Sequence, residues 1–283
     1  MKPAIAALPA PPDVSARGGF DLTALWALIV LTLRQHLRGR RLLVLALLFL
    51  MPSVLVALVR LAEHPPDPEH LEFGFLFNLM PHALATLTAL LYAGGMIQDE
   101  VEEQTLTYLL LRPIPRWALY VTKLAATVLV TSALTGVFTT VTYVVIYWNE
   151  PELWSEVLPE RAPRTAALYA LAQVGYCSFF GVLTLLTRRS LIGGLAYIIA
   201  FEGLLASFQS VLRLLTVMFY FRVLAARWVL GSRGARQWGL ELADTPSAGE
   251  CMARLLAVSA VLVFFGALTV QRREFRMKTP EGS

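Results

Sequence analysis

Glu202 lies within an apolar run, and Gln209 and Arg213 follow it seven and eleven residues on, a spacing that places a carboxylate, an amide and a guanidinium on one helical face. A charged side chain in the middle of a bilayer costs about 2.5–3.5 kcal/mol on insertion scales, so that face must turn to protein or water. Two roles fit: the three residues line a pathway or gate, or Glu202 is a buried hydrogen-bonding group, protonated or paired, that fastens its helix to a neighbour. His64, Asp67, Glu69 and His70 carry imidazole and carboxylate groups of the kind that bind divalent metals, but Pro65, Pro66 and Pro68 among them make a solvated loop the simpler reading. His36 and His82 have no partner legible in the sequence, and Cys177 and Cys251 lack metal-ligand spacing and are expected as free thiols. With no Ser–His pair, paired aspartates or H-E-x-x-H, no catalytic, cofactor-binding or metal-ligating residue is expected.

The elements that must position these groups are membrane helices. Of 283 residues, 57% are hydrophobic and 16% charged, and the mean hydropathy is +0.61, far from a soluble domain. Six runs can cross the hydrocarbon, which takes roughly 20 helical residues: 42–61, 74–97, 117–148, 165–187, 191–212 and 252–270. Residues 1–21 read as a cytoplasmic tail without a cleavable signal peptide, and 22–41 as a helix in the interface, since Arg34, Arg38, Arg40 and Arg41 close it. That basic cluster directly precedes a span and reads as a membrane anchor, so no nucleic-acid partner is expected. Arg and Lys in the short flanks put both termini and the connection between the second and third spans on the cytoplasmic side, with 271–283 as a second tail. One stretch resists this rule: residues 213–250 carry Arg213, Arg222, Arg227, Arg233 and Arg236 yet fall outside, which suggests outer interfacial helices. In the third span Thr127, Thr131, Thr135 and Thr139 form a small polar stripe suited to close helix packing, more than to lining a substrate path.

The cytoplasmic connection is the most distinctive segment. Asp99, Glu100, Glu102 and Glu103 open it, Thr105, Leu106, Leu109 and Leu110 form a leucine-rich turn, and Arg112, Pro113, Pro115 and Arg116 end the helical pattern. Asp99 with Glu102 has capping-box spacing for a short helix. The order acid, acid, Thr-Leu, Tyr-Leu-Leu, Arg-Pro, Pro-Arg, Lys resembles the first cytoplasmic loop of ABC-2 type transporter permeases, with Gln104 where a glycine usually precedes Thr-Leu. Residues 194–228, with Tyr197, Phe201, Glu202, Gly203, Leu204, Tyr220 and Arg222, resemble the fifth span and outer helices of a bacterial subgroup.

The resemblance implies an all-α integral membrane protein: a single permease domain over 1–283, six transmembrane helices, an N-terminal elbow helix, a cytoplasmic coupling helix between spans two and three, and outer helices between spans five and six. It implies a non-catalytic exporter subunit in a bacterial cytoplasmic membrane, with two ABC ATPase subunits docking on the acidic connection and the basic elbow, and a second permease copy, identical or related. ATP and Mg would be bound by the ATPase, since this chain has no G-x-x-x-x-G-K-[ST] sequence. An ion-coupled secondary transporter using Glu202 is the alternative, and an intramembrane enzyme a more distant one. The substrate class stays open among ions, lipids, glycans, drugs and peptides.

Overall fold

A computed structural model describes residues 22–102, 115–187, 189–200 and 216–272. Among these residues every regular element is a helix and there are no strands. Helix α1 is Leu22–Arg38 and α2 is Arg40–Arg60. Pro68–Leu71, Glu72–Ala85 and Thr86–Glu102 run on as α3; α4 is Arg116–Ile146, α5 is Pro151–Leu186 and α6 is Ser190–Tyr197. Val217–Ala225 continues through Ala226–Leu230 as α7, Gly231–Gln237 is α8 and Ala248–Arg272 is α9. Five helices are long and apolar enough to cross a bilayer: Arg40–Arg60, Pro68–Met96, Arg116–Ile146, Val157–Leu186 and Ala248–Arg272. They correspond to five of the six expected spans. The remaining one, 191–212, is represented by the short apolar helix Ser190–Ala200, and its second half lies outside the described residues.

Two boundaries differ from the sequence expectation, for reasons of proline chemistry. Helix α3 starts at Pro68 rather than Gly74, because a proline in the first turn gives up a backbone N–H that a helix start does not use. Helix α5 starts at Pro151 rather than Thr165, so much of the connection between the expected spans 117–148 and 165–187 is helical despite Pro159 and Pro163. Both prolines lie in its first four turns, near the start of the apolar stretch Val157–Leu186.

The core is the α3–α4–α5 layer, and side chains of α5 hold α3 by its backbone. Glu72–Ala85 is π-helical and contains Pro81. In that register the N–H of residue 81 would bond the carbonyl of residue 76; proline has none, and the Tyr169 hydroxyl donates to the Leu76 carbonyl instead. Gln173 Nε2 donates to the Ala85 carbonyl at 3.0 Å and Thr184 Oγ1 to that of Gly94 at 3.2 Å. On α4 the threonine stripe is buried, and Thr131 and Thr135 return their hydroxyls to the carbonyls of Thr127 and Thr131. Small side chains that return hydroxyls to their own helix allow close helix approach, and Thr131 Oγ1 also lies 3.5 Å from Cys177 Sγ of α5.

Helices α1 and α2 pack on α4 from the other side. His36 Nε2 lies 3.1 Å from Thr127 Oγ1, Ser53 Oγ 2.9 Å from Thr142 Oγ1, and Phe49 stacks on Phe138 at 5.5 Å. The outward faces of α2 (Leu43, Leu47, Val54, Leu58) and α9 (Val261, Phe264) are exposed and apolar, as lipid-facing surfaces must be. Helix α9 starts on a reciprocal capping box: Ser247 Oγ accepts from the Glu250 N–H, and Glu250 Oε2 accepts from the Ser247 N–H.

Candidate functional site: a buried carboxylate clasp

The described residues converge on charge at the end of the bundle remote from the α3–α4 connection. Glu72, at the second turn of α3, is fully buried. Tyr143 and Tyr147 lie one turn apart at the end of α4, and Arg161 and Thr165 one turn apart on α5, so two i, i+4 pairs face the same carboxylate. Tyr143 Oη donates to Glu72 Oε1 at 2.8 Å, Tyr147 Oη to Oε2 at 2.7 Å, and Arg161 Nη1 to Oε2 at 3.0 Å. Thr165 Oγ1 lies 2.9 Å from Tyr143 Oη, and the two tyrosine rings stack at 6.3 Å. A buried carboxylate is tolerated only when paired and hydrogen-bonded, and here three helices meet on one charge. At the same end Arg60 Nε donates to the Ile146 carbonyl at 2.8 Å, satisfying a free acceptor at the C-terminus of α4.

Above the clasp lies a 560 Å³ cleft between the start of α3 and the α7–α8 segment. Glu72, Arg161 and Phe73 line it on one side, and Leu230, Ser232 and Gln237 on the other. At its rim Arg233 Nη1 pairs with Glu69 Oε2 at 3.3 Å, and His70 Nδ1 lies 3.7 Å from Asp67 Oδ2, all four side chains being exposed. No group of three His, Cys, Asp or Glu residues among the described residues could hold a metal ion.

The α7–α8 segment accounts for arginines that the charge rule left unexplained. Arg222 Nη2 lies 2.9 Å from His82 Nε2, and its guanidinium carbon lies 6.0 Å from the centre of the Trp238 ring. Trp238 Nε1 donates to Asn78 Oδ1 at 3.2 Å, and its ring packs against Phe73 and Phe77. Arg227 donates to the carbonyls of Leu242 and Thr245 at 2.9 Å, Arg233 to Glu69, and Arg236 Nε to the Ser232 carbonyl at 3.3 Å. These cations are engaged within the fold, so their number gives a weak signal of sidedness. The segment is locally well specified. Thr216 Oγ1 caps α7 by accepting from the Phe219 N–H. Gly239, at φ +63, ends α8 with bonds from Leu240 N to Ala235 O and from Gly239 N to Arg236 O, a Schellman turn.

The residues singled out from sequence fall elsewhere. Asp99, Glu100 and Glu102 are in the last turns of α3, Pro115 is the N-cap of α4, and Arg116 is its first residue. Glu103, Thr105, Leu106, Leu109, Leu110, Arg112 and Pro113 lie outside the described residues, as do Glu202, Gln209 and Arg213. Buried Lys123 donates to the Met96 carbonyl at 3.3 Å, joining α3 to α4 at the base of the connection. Cys177 and Cys251 are free and buried, as expected. His36 and His82 are not isolated: His36 meets Thr127 and packs against the Tyr92 ring at 4.8 Å, while His82 bridges the Asn78 carbonyl and Arg222. Sequence reasoning missed Glu72, which falls in the connection between the expected spans 42–61 and 74–97. The available signal was a carboxylate directly before an apolar run, with Tyr143/Tyr147 and Arg161/Thr165 at helical spacing on either side of the next connection.

Five long apolar helices with exposed apolar flanks, packed on a common core, define a multi-pass all-α membrane protein. Residues 35–201 match the profile of the family described as ABC-2 family transporter protein. The chain belongs to that family, and is a membrane component of its transporters. The matched region includes the acidic connection and every residue of the clasp. No curated protein matches the chain.

Proposed function

We propose that this chain is the permease of an ATP-driven exporter, powered by separate ABC ATPase subunits that dock on the connection between α3 and α4. Carrying the reading is the composition of residues 98–116: four carboxylates, a leucine-rich turn and a proline-bounded exit between two membrane helices. An apolar knob with a charged rim is the form a rigid element takes when it enters a groove on a partner. Support comes from the bond between Lys123 and the Met96 carbonyl, which couples the two helices that a docked partner would push. The bonds of Tyr169, Gln173 and Thr184 to α3 carbonyls would carry that push into α5. ATP hydrolysis falls to the partner, since the chain has no P-loop sequence. In the proposed orientation the connection and both termini are cytoplasmic, in a bacterial inner membrane, and a second permease copy completes the pathway.

Association tests the docking role. Leu106→Asp or Leu110→Asp should abolish copurification of the ATPase while membrane insertion stays normal, and Glu103→Ala should weaken it modestly and in a salt-dependent way. Full ATPase retention and full stimulation of hydrolysis in the double aspartate variant would show the connection to be a mere linker.

A further inference from the structure

We propose that the cleft above the clasp binds the headgroup of a zwitterionic aminophospholipid, a phosphodiester joined to a primary ammonium. The site is preformed. Arg161 is held from behind by Glu72, which Tyr143 and Tyr147 fix in turn, so its guanidinium is oriented before any ligand arrives. A guanidinium has five N–H donors, and Glu72 is the one hydrogen-bond acceptor the described residues give it. The Arg161 side chain is 30% exposed and lines the cleft, leaving donors for a phosphate oxygen, the acceptor that guanidinium geometry matches best. Arg233 stands at the mouth in an exposed pair with Glu69, the kind of contact that water and ligands exchange readily.

The cleft also carries negative charge. Asp67, Glu69 and Glu72 line it against Arg161 and Arg233, so a purely anionic ligand would meet an excess carboxylate. Glu72 is spent on the Tyr143 and Tyr147 hydroxyls and on Arg161, so Asp67 and Glu69, in exposed and exchangeable rim contacts, are the carboxylates placed to accept from an ammonium. A ligand with both signs, anion inward on Arg161 and cation outward on the rim, matches this order of charges. Its glycerol and first chain carbons would lie on Phe73 and Leu230.

The position favours a membrane source. The cleft lies at the α2–α3 and α4–α5 ends of the bundle, where Trp148 is 72% exposed and Leu61 is also exposed, the aromatic and apolar fringe of a headgroup layer. The cavity is of the size that takes small-molecule ligands, roughly 300–1,000 Å³. This inference concerns the permease alone and stands whether or not the ATPase docks as proposed above.

The test is native mass spectrometry of the purified chain released from micelles doped with phosphatidylethanolamine, phosphatidylcholine or phosphatidylglycerol at equal content. Phosphatidylethanolamine should be retained about tenfold more than either of the others, since the choline lacks N–H donors and the glycerol headgroup lacks the cation. Arg233→Gln and Asp67→Asn alter exposed side chains and should each remove that preference without lowering the melting temperature. Arg236→Gln, outside the cleft, should leave it intact, and Arg161→Lys should weaken retention. Equal retention of the three lipids, or an unchanged preference in Arg233→Gln and Asp67→Asn, would overturn the proposal. Saturation by soluble glycerophosphoethanolamine without retention of the lipid would overturn its membrane source.

Discussion

Replacing Glu72 by leucine removes the acceptor on which α3, α4 and α5 meet. Three donors lose their partner, but unequally. Tyr143 retains Thr165 at 2.9 Å, and Arg161, partly exposed, can turn to water. Tyr147 loses the one acceptor the described residues give its hydroxyl. A hydrogen bond to a charged group contributes about 1.5–3 kcal/mol, and breaking a buried ion pair from one side costs about 3–5 kcal/mol. Because the three contacts share one carboxylate they do not add, so the expected loss is about 3–5 kcal/mol rather than the sum. Glu72→Gln should lose less, about 2–3 kcal/mol, since its carbonyl oxygen still accepts while its amide opposes one of the donors. The assay is equilibrium unfolding in mixed micelles, with Arg161→Ala and the double variant closing a cycle. A loss under about 1 kcal/mol in Glu72→Leu, or additivity within about 0.5 kcal/mol in the cycle, would refute the clasp.

Tyr169→Phe should leave the Leu76 carbonyl without a donor and cost about 1–3 kcal/mol; adding Pro81→Ala, which restores a main-chain N–H in the same register, should recover part of that loss in the same unfolding assay. Single cysteines at Ser283 and Glu103, in a background lacking Cys177 and Cys251, should be shielded from a membrane-impermeant thiol reagent in intact cells, while cysteines at Asp67, Glu156 and Ser247 should react; labelling at Ser283 from outside would overturn the six-span arrangement.

The part of the architecture set by the solvent was legible in the chain alone. In hydrocarbon each backbone must satisfy itself as a helix, so the apolar runs could be counted and bounded, and five of them stand as long helices within a few residues of expectation at most ends. The threonine stripe of α4 was legible for the same reason: helical period and small side chains suffice to predict a packing face. The acidic connection was recognisable by its composition, although its centre lies beyond the described residues. Tertiary structure alone decided which charges are spent inside. Glu72 is 71 residues from Tyr143 and 89 from Arg161, and its one local mark, a place directly before an apolar run, does not name the partners that bury it while Glu63 and Glu69 stay exposed. His82 and Arg222 were unreadable for the same cause, being 140 residues apart. Hydropathy depends on a residue's own transfer from water and is carried by the chain itself, whereas a buried ion pair depends on a partner that only the folded bundle brings within 3 Å.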